Sequence, residues 1–430
     1  MAYWAGLVLW AVGLPRPWMA AIALLAVNRW PQFRQEILGG TFFLALALSF
    51  CGGERGGVYP ALALCALLWW FWFLVELRGH WSAFRRHPVA LHTIFFLCGL
   101  VAAESLRFHG NWSRILWLAV TLWTHLFCYF TYALMAAPRG MREQLLALSF
   151  AGQMFNPSPV PKGKNWNYLE KVWCLDPEER MTSRLKGVKL LIWAALLYFG
   201  GEITKLFVEG VGPLGLHMPT QQYCLAAAST NQPCSVLQNW AHVGFGFVFS
   251  TLEIAVPGHL LVGFLRLAGY RLPRNMYRPF ESLTIAQFWN RYYYYFKELL
   301  ADFYFYPTFD RLSRWPTRWR VVAATFAAAG FGNFFVHFLF HARLQEQSLG
   351  EALRLMRSYS IYVLVLSAGI AISQWRSLGG RKRPQSFGGK WRARILVIGF
   401  YVVLSTFDTR WATGRLTDNF NFWLALFSLR

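Results

Sequence analysis

The chain reads as a succession of apolar runs broken by short polar or basic connections. Windows long enough to cross a bilayer, or to cross with support from neighbouring helices, fall near residues 4–27, 37–51, 58–77, 89–106 and 113–137. Further windows fall near 187–208, 240–265, 321–342, 358–375, 395–407 and 419–430. Since about twenty helical residues cross the hydrocarbon layer, the pattern predicts an all-α polytopic integral membrane protein with about eleven transmembrane helices. Several windows are shorter than a full crossing and fit helices sheltered by protein or a thinned bilayer.

One stretch departs from this pattern. Residues Phe280 to Glu298 are amphipathic and too polar to cross, and Thr284 with Gln287 three positions later fits a capping box that starts a helix. Aromatic residues then crowd Arg291 and Lys297, followed by Asp302 and an aromatic run ending at Tyr306 and Pro307. An interfacial or re-entrant helix satisfies this pattern.

Composition agrees with the spans. Apolar residues make up 56% of the 430 and charged residues only 14%, too little charge to solvate a soluble surface, so a water-soluble enzyme is excluded. The 42 Lys and Arg against 20 Asp and Glu give a net charge of +22. In a soluble protein that excess would point to nucleic acid, but here the basic residues gather in short connections between spans, where they hold loops on the cytoplasmic side. No Lys or Arg lies between Lys205 and Arg266, so the polar loop Glu209 to Asn239 faces outward. Counting from it puts the basic connections Arg78 to Arg86, Arg139 to Lys186, Arg266 to Arg278, Arg311 to Arg320 and Arg376 to Arg394 inside. The same count puts the N-terminus outside, if Pro15, Arg16, Pro17 is a kink within one span, and the C-terminus inside.

The chain divides into N-terminal membrane helices over 1–137, a cytoplasmic connection over 138–186 and a C-terminal membrane region over 187–430, together one membrane domain. The connection holds the Pro-rich run 156–161 and Trp166, Tyr168, Leu169, Val172 and Trp173, which can rest on the bilayer interface. Of seven cysteines, Cys51, Cys65, Cys98 and Cys128 lie in or beside apolar runs and read as packing residues. Cys224 and Cys234 share the outward loop and form a disulfide if it meets an oxidising compartment. No spacing suggests a metal site.

The second polar feature inside a span is Asn333, His337 and His341, spaced by four and therefore stacked on one helix face among phenylalanines. A neutral imidazole buried in this way takes a proton near pH 7, and an amide one turn away orients it or polarises a carbonyl. A helix-packing hydrogen bond explains the same stripe equally well. Weaker signals are set aside. Gly210 to Gly215 fits a dinucleotide fingerprint by letter but follows a membrane helix. His242, Glu253 and His259 share one span and read as packing, and Glu202 and Lys205 as a pair on one helix face.

Taken together, Ser282 to Pro307 and His337 resemble the membrane-bound O-acyltransferase superfamily, in particular its bacterial branch of alginate O-acetylation and D-alanyl transfer proteins. Phe288, Trp289, Asn290 and Arg291 take the first motif positions, and Asp302, Phe303, Tyr304, Tyr306 and Pro307 the last. Tyr292 and Tyr293 stand where the family has Trp-His, and Phe335, Val336, His337, Phe338 replace its glycine-rich histidine setting, which marks a divergent member. The resemblance is specific over about a quarter of the chain. It implies an enzyme that moves an acyl group from a thioester donor, such as acyl-CoA, to a hydroxyl of a glycan, polymer or lipid, with no permanently bound cofactor. His337 is then the base, Asn333 and Tyr293 assist, and Asn290, Arg291 and Trp289 bind substrate. It also implies a bacterial inner-membrane location and a possible extracytoplasmic partner transferase, with no nucleic-acid role. A lipid or glycan transporter or flippase and a non-catalytic scaffold of the same fold are the alternative readings.

Overall fold

A computed structural model describes residues 58–106, 111–135, 171–208, 234–341, 348–380, 384–408 and 416–429, with single positions between 26 and 37 and at 168, 223, 224 and 227. Apart from such single positions, the windows at 4–27 and 37–51, the Pro-rich run 156–161 and the stretch 210–215 lie outside the described residues. Among the described residues the structure is helical and contains no strand beyond one isolated bridge. Five helices are long and apolar enough to cross a membrane: Pro88–Ser105, Pro177–Val208, Val236–Leu267, Thr317–Leu339 and Arg357–Leu378, or six if the bent pair Ile115–Thr124 and Leu126–Met135 is one span. The chain groups into two compact units whose boundary falls within two of these helices. One unit runs to Leu191 and includes Leu260–Pro273; the other holds Ile192–His259, Arg274–Arg343 and Gln347–Arg430.

In the first unit, α1 (Val58–His80), α2 (Ser82–Arg86), α3 (Pro88–Ser105) and α4 (Asn111–Met135) follow one another, and α1 and α3 pack on α4. Pro88 sits in the first turn of α3, where its missing N–H costs nothing. A polar chain crosses this apolar packing. The Trp123 Nε1–H donates to His92 Nε2 at 2.9 Å, His92 Nδ1 meets Thr131 Oγ1 at 2.8 Å, and that hydroxyl donates to the Phe127 carbonyl at 2.8 Å. An indole nitrogen only donates, so Nε2 is the acceptor and the proton resides on Nδ1. Both ring nitrogens of this fully buried histidine are therefore committed to packing.

The start of α5 (Pro177–Val208) crosses the end of α6 (Val236–Leu267) at glycine. A Cβ on Gly187 would stand 2.8 Å from the Gly263 carbonyl, so only a bare backbone permits this approach. Trp173 does not rest on the bilayer interface as expected from its sequence setting. It is buried in the protein, with its ring 5.0 Å from Tyr270 and the Arg180 guanidinium over it, because the Cys174 N–H to Gly269 carbonyl bond holds the strands of chain together. Gly269 has φ 101° directly under Trp173, a conformation and a clearance that both require glycine.

The second unit is built on a helical hairpin. After α7 (Ile285–Tyr292), the chain breaks at Tyr293 and continues as one rod: α8 (Tyr294–Leu300), a π-helical turn Ala301–Phe305 and α9 (Tyr306–Arg311). Residues 312–316 reverse direction, and α10 (Thr317–Thr325), a second π-helical turn Phe326–Gly332 and α11 (Asn333–His341) return alongside. Successive contacts trace the antiparallel register: Arg320 Nε donates to the Phe309 carbonyl at 3.0 Å, Tyr304 meets Phe331, and Phe296 meets His337.

A capping box of Ser348 and Glu351 starts the short α12 (Leu349–Leu355). Helix α13 (Arg357–Leu378) then runs antiparallel to the returning arm. Arg318 reaches the Leu378 carbonyl at one end, the Thr325 hydroxyl meets Gln374 in the middle at 2.6 Å, and Tyr359 meets Asn333 at the other end. Helix α14 (Phe387–Leu404) closes the unit, its Tyr401 stacked 3.9 Å from Phe288 and donating to the Ile285 carbonyl.

The expected crossing at 419–430 is corrected. Helix α15 (Leu416–Leu426) has 11 residues, about 16 Å of rise, too short to span. Asn419 bonds the Thr406 carbonyl just beyond α14, and the Leu426 carbonyl accepts from Trp240 near the start of α6. Val402 of α14 and Val243 of α6 share one apolar cluster with α15, so the helix lies across that end of the bundle. The crossing that would have carried the C-terminus inside is therefore lost.

Candidate active site

The cap of α7 forms as its sequence requires, with one difference. Thr284 Oγ1 accepts from the Gln287 N–H at 3.1 Å, while the Gln287 amide oxygen accepts from Leu283 rather than from Thr284. Phe288 is then driven into a cluster with Phe247, Leu366, Val397 and Tyr401. This anchoring of α7 leaves the break at Tyr293 (φ −147°, ψ 76°) and the start of α8 to be satisfied from outside. Asn275, fully buried, does so: its carbonyl accepts from Tyr294 N–H at 2.8 Å and its side-chain oxygen from Tyr295 N–H at 3.5 Å.

The result places Phe296 edge-on to the His337 ring at 5.5 Å, with the Tyr293 ring tilted against the same phenylalanine at 5.1 Å. His337 lies twenty residues beyond Thr317, roughly 25–30 Å along the helix, so the short helices α7 and α8 reach as far from the basic turn as that imidazole.

Asn333 is buried, and its Oδ1 accepts from the Tyr359 hydroxyl at 3.0 Å. The Tyr359 ring lies 4.6 Å from the His337 ring and stacks on Tyr362 at 5.0 Å. Asn333 and His337 thus share one neighbour, Tyr359, on one helix face. With its oxygen engaged by a phenol, the Asn333 amide presents its NH2 end as a donor. His337 is partly exposed, whereas Asn333 and Tyr359 behind it are not. The side chain of His341 lies outside the described residues.

Two π-helical turns face one another immediately before this pair. A Cβ on Gly332 would fall 2.3 Å from Tyr304 Cδ2, so the absence of a side chain there lets the Tyr304 ring fit against the returning arm. Extra residues in a π turn rotate everything that follows and leave looser backbone bonding, and such turns recur at functional sites.

The remaining sequence candidates lie elsewhere on the element. Trp289 packs against the Phe288 cluster and lies edge-on to Phe296 at 6.4 Å. Asn290 is exposed, and Arg291 reaches back 3.4 Å to the Arg278 carbonyl, while its own carbonyl accepts from Tyr277. Arg274 and Arg278 flank the Tyr277 ring, so Arg291 belongs to a basic, aromatic edge rather than to the Asn333 pair. Among the described residues, no group of His, Cys, Asp and Glu could hold a metal ion. On α6, His259 donates from Nδ1 to the Ala255 carbonyl of its own helix at 2.7 Å, and Glu253 is exposed.

Sequence reading missed Tyr359 and Gly332. The only signal for Tyr359 is a polar start to an apolar window, Ser358 to Ser360, which is common at any helix entering a membrane. No protein-family model and no curated protein matches the chain.

Proposed function

We propose that this chain is a membrane-embedded O-acyltransferase, a divergent relative of the membrane-bound O-acyltransferases, that passes an acyl group from a thioester such as acyl-CoA to a hydroxyl. The observation that carries the reading is the pairing of His337 with Asn333 against Tyr359, at the end of a hairpin whose other arm brings Phe296 to the same imidazole. The basic turn 312–320 marks the cytoplasmic end, because Arg314, Arg318 and Arg320 collect there with Trp315 and Trp319 exposed beside them. His337 then lies toward the far side of the bilayer, at the depth where α7 gives way to α8, and the arm α8 to α9 leads from there back to the cytoplasmic end.

In this reading His337 accepts the proton of the acceptor hydroxyl as its oxygen attacks the thioester carbonyl. The tetrahedral oxyanion receives a hydrogen bond from the Asn333 NH2, fixed by Tyr359. Collapse breaks the carbon–sulfur bond, and the leaving thiolate takes the proton from the imidazolium. No covalent enzyme intermediate is needed. The basic edge of Arg274, Arg278 and Arg291 stands beside the start of α8 and suits the phosphates of the thioester donor, which enters from the cytoplasmic side, while the acceptor arrives from lipid or from the far side.

The test is chemical. Membranes containing the chain, given acyl-CoA labelled in the acyl group, should yield a lipid or glycan fraction carrying label released by mild alkali. The same membranes without the chain should not. Movement of lipid or glycan across the bilayer with no new ester would replace this reading with a transporter.

A further inference from the structure

Cys224 and Cys234 occupy the interval between Lys205 and Arg266 that contains no Lys or Arg. Their Sγ atoms stand 3.0 Å apart, closer than two sulfurs approach without a bond or a shared proton, and both are thiols in this structure. Neither is placed by chance. Cys224 is fully buried in a cluster with Val243, Phe422, Ala425 and Leu426, against which Cys234 and Trp240 pack. The Asn239 NH2 donates to the Cys234 carbonyl at 3.1 Å, which fixes that residue at the first turn of α6, and Trp240 donates to the Leu426 carbonyl at 2.8 Å.

We propose that Cys224 and Cys234 are joined by a disulfide in the membrane-inserted protein, on its extracytoplasmic face. Each thiol loses a proton, the two sulfurs bond, and the two electrons pass to the disulfide of an extracytoplasmic thiol oxidoreductase, which leaves as a dithiol. The bridge closes the residues between the two cysteines into a ring and ties it to the place where α15 docks on α6. Its role is structural: burial, with the neighbouring sulfur, pushes the Cys224 thiol up, so little thiolate exists to exchange once the site has formed. The inference is independent of acyl transfer, because it concerns the end of the bundle on which α15 lies and not the His337 pair.

The experiment uses the full chain in its native membranes, denatured in the presence of a maleimide of high mass. Of the seven cysteines, five should react before reduction and all seven after it, and digestion without reductant should yield one peptide pair linking Cys224 to Cys234. Cys224→Ser should free Cys234 to react without reductant. Reaction of all seven thiols in the unreduced wild type, or a bridge from either residue to another cysteine, overturns the proposal.

Discussion

His337 and His92 are both histidines on long apolar helices, yet their surroundings differ, and on the proposed reading only His337 serves chemistry. At His92 an indole N–H and a threonine hydroxyl occupy both ring nitrogens, and the ring is sealed. Protonating Nε2 there would break a buried hydrogen bond with no replacement. His337 is partly exposed, and its neighbour Tyr359 donates its hydroxyl to Asn333. On the proposed reading Tyr359 is a positioning residue: its hydrogen bond to Asn333 Oδ1 leaves the amide NH2 as the donor. Tyr359→Phe should lower kcat about tenfold, the worth of one such bond, with KM for the acyl donor nearly unchanged. A proportional rise in KM at constant kcat would instead show that the phenol serves binding. Sequence spacing alone placed Asn333 and His337 on one face, because periodicity of four needs no tertiary information. It offered no way to choose Tyr359 from among 18 tyrosines, nor to see that His92 is locked, since both facts come from helices brought together across the chain.

Among the elements, the hairpin of α8 to α11 brings Phe296 and His337 together. Its two arms face each other through π-helical turns, and the contact at Gly332 and Tyr304 sets how α11 rotates as it leaves the second turn. Gly332→Ala should cost roughly 1–3 kcal/mol of stability, read as a lowered midpoint in detergent unfolding, because the new methyl must displace a buried ring. Activity should fall further than stability does, since rotation of α11 carries Asn333 and His337 with it. An alanine variant with unchanged unfolding and turnover would show that the Tyr304 ring yields freely. Apolar windows announced α3, α5, α6, α10–α11 and α13, and the cap at Thr284 announced α7. Neither π turn was legible, because a π turn arises from the fit of one arm on the other and leaves no period in the sequence. The last window, 419–430, misled for a related reason: it is apolar because α15 buries Phe422, Ala425 and Leu426 against other helices, not because it crosses lipid.

For the molecule as a whole, the distribution of Lys and Arg predicts, on the proposed reading, which end of each helix meets the cytoplasm. Helix α14 has 18 residues, about 27 Å of rise, and Lys390, Arg392 and Arg394 in its first half can reach back to the interface, so on the proposed reading Ser386 and Asp408 should lie on opposite sides of the membrane. Single cysteines at these positions, probed with a maleimide that cannot cross membranes, should react from the outside at 408 and from the inside at 386. Labelling of both from one side would reverse or abolish the deduced orientation and with it the far-side placement of His337. On the proposed reading the site takes a charged thioester from the cytoplasmic side and an acceptor from lipid or beyond. Acyl transfer measured with His337→Ala is where that reading stands or falls. Removal of a general base should reduce label transfer from acyl-CoA to its acceptor by about 10²–10⁴-fold in protein that still inserts and reaches wild-type abundance. Transfer at the wild-type rate in that variant would remove His337 from the reaction and leave only the helical architecture standing.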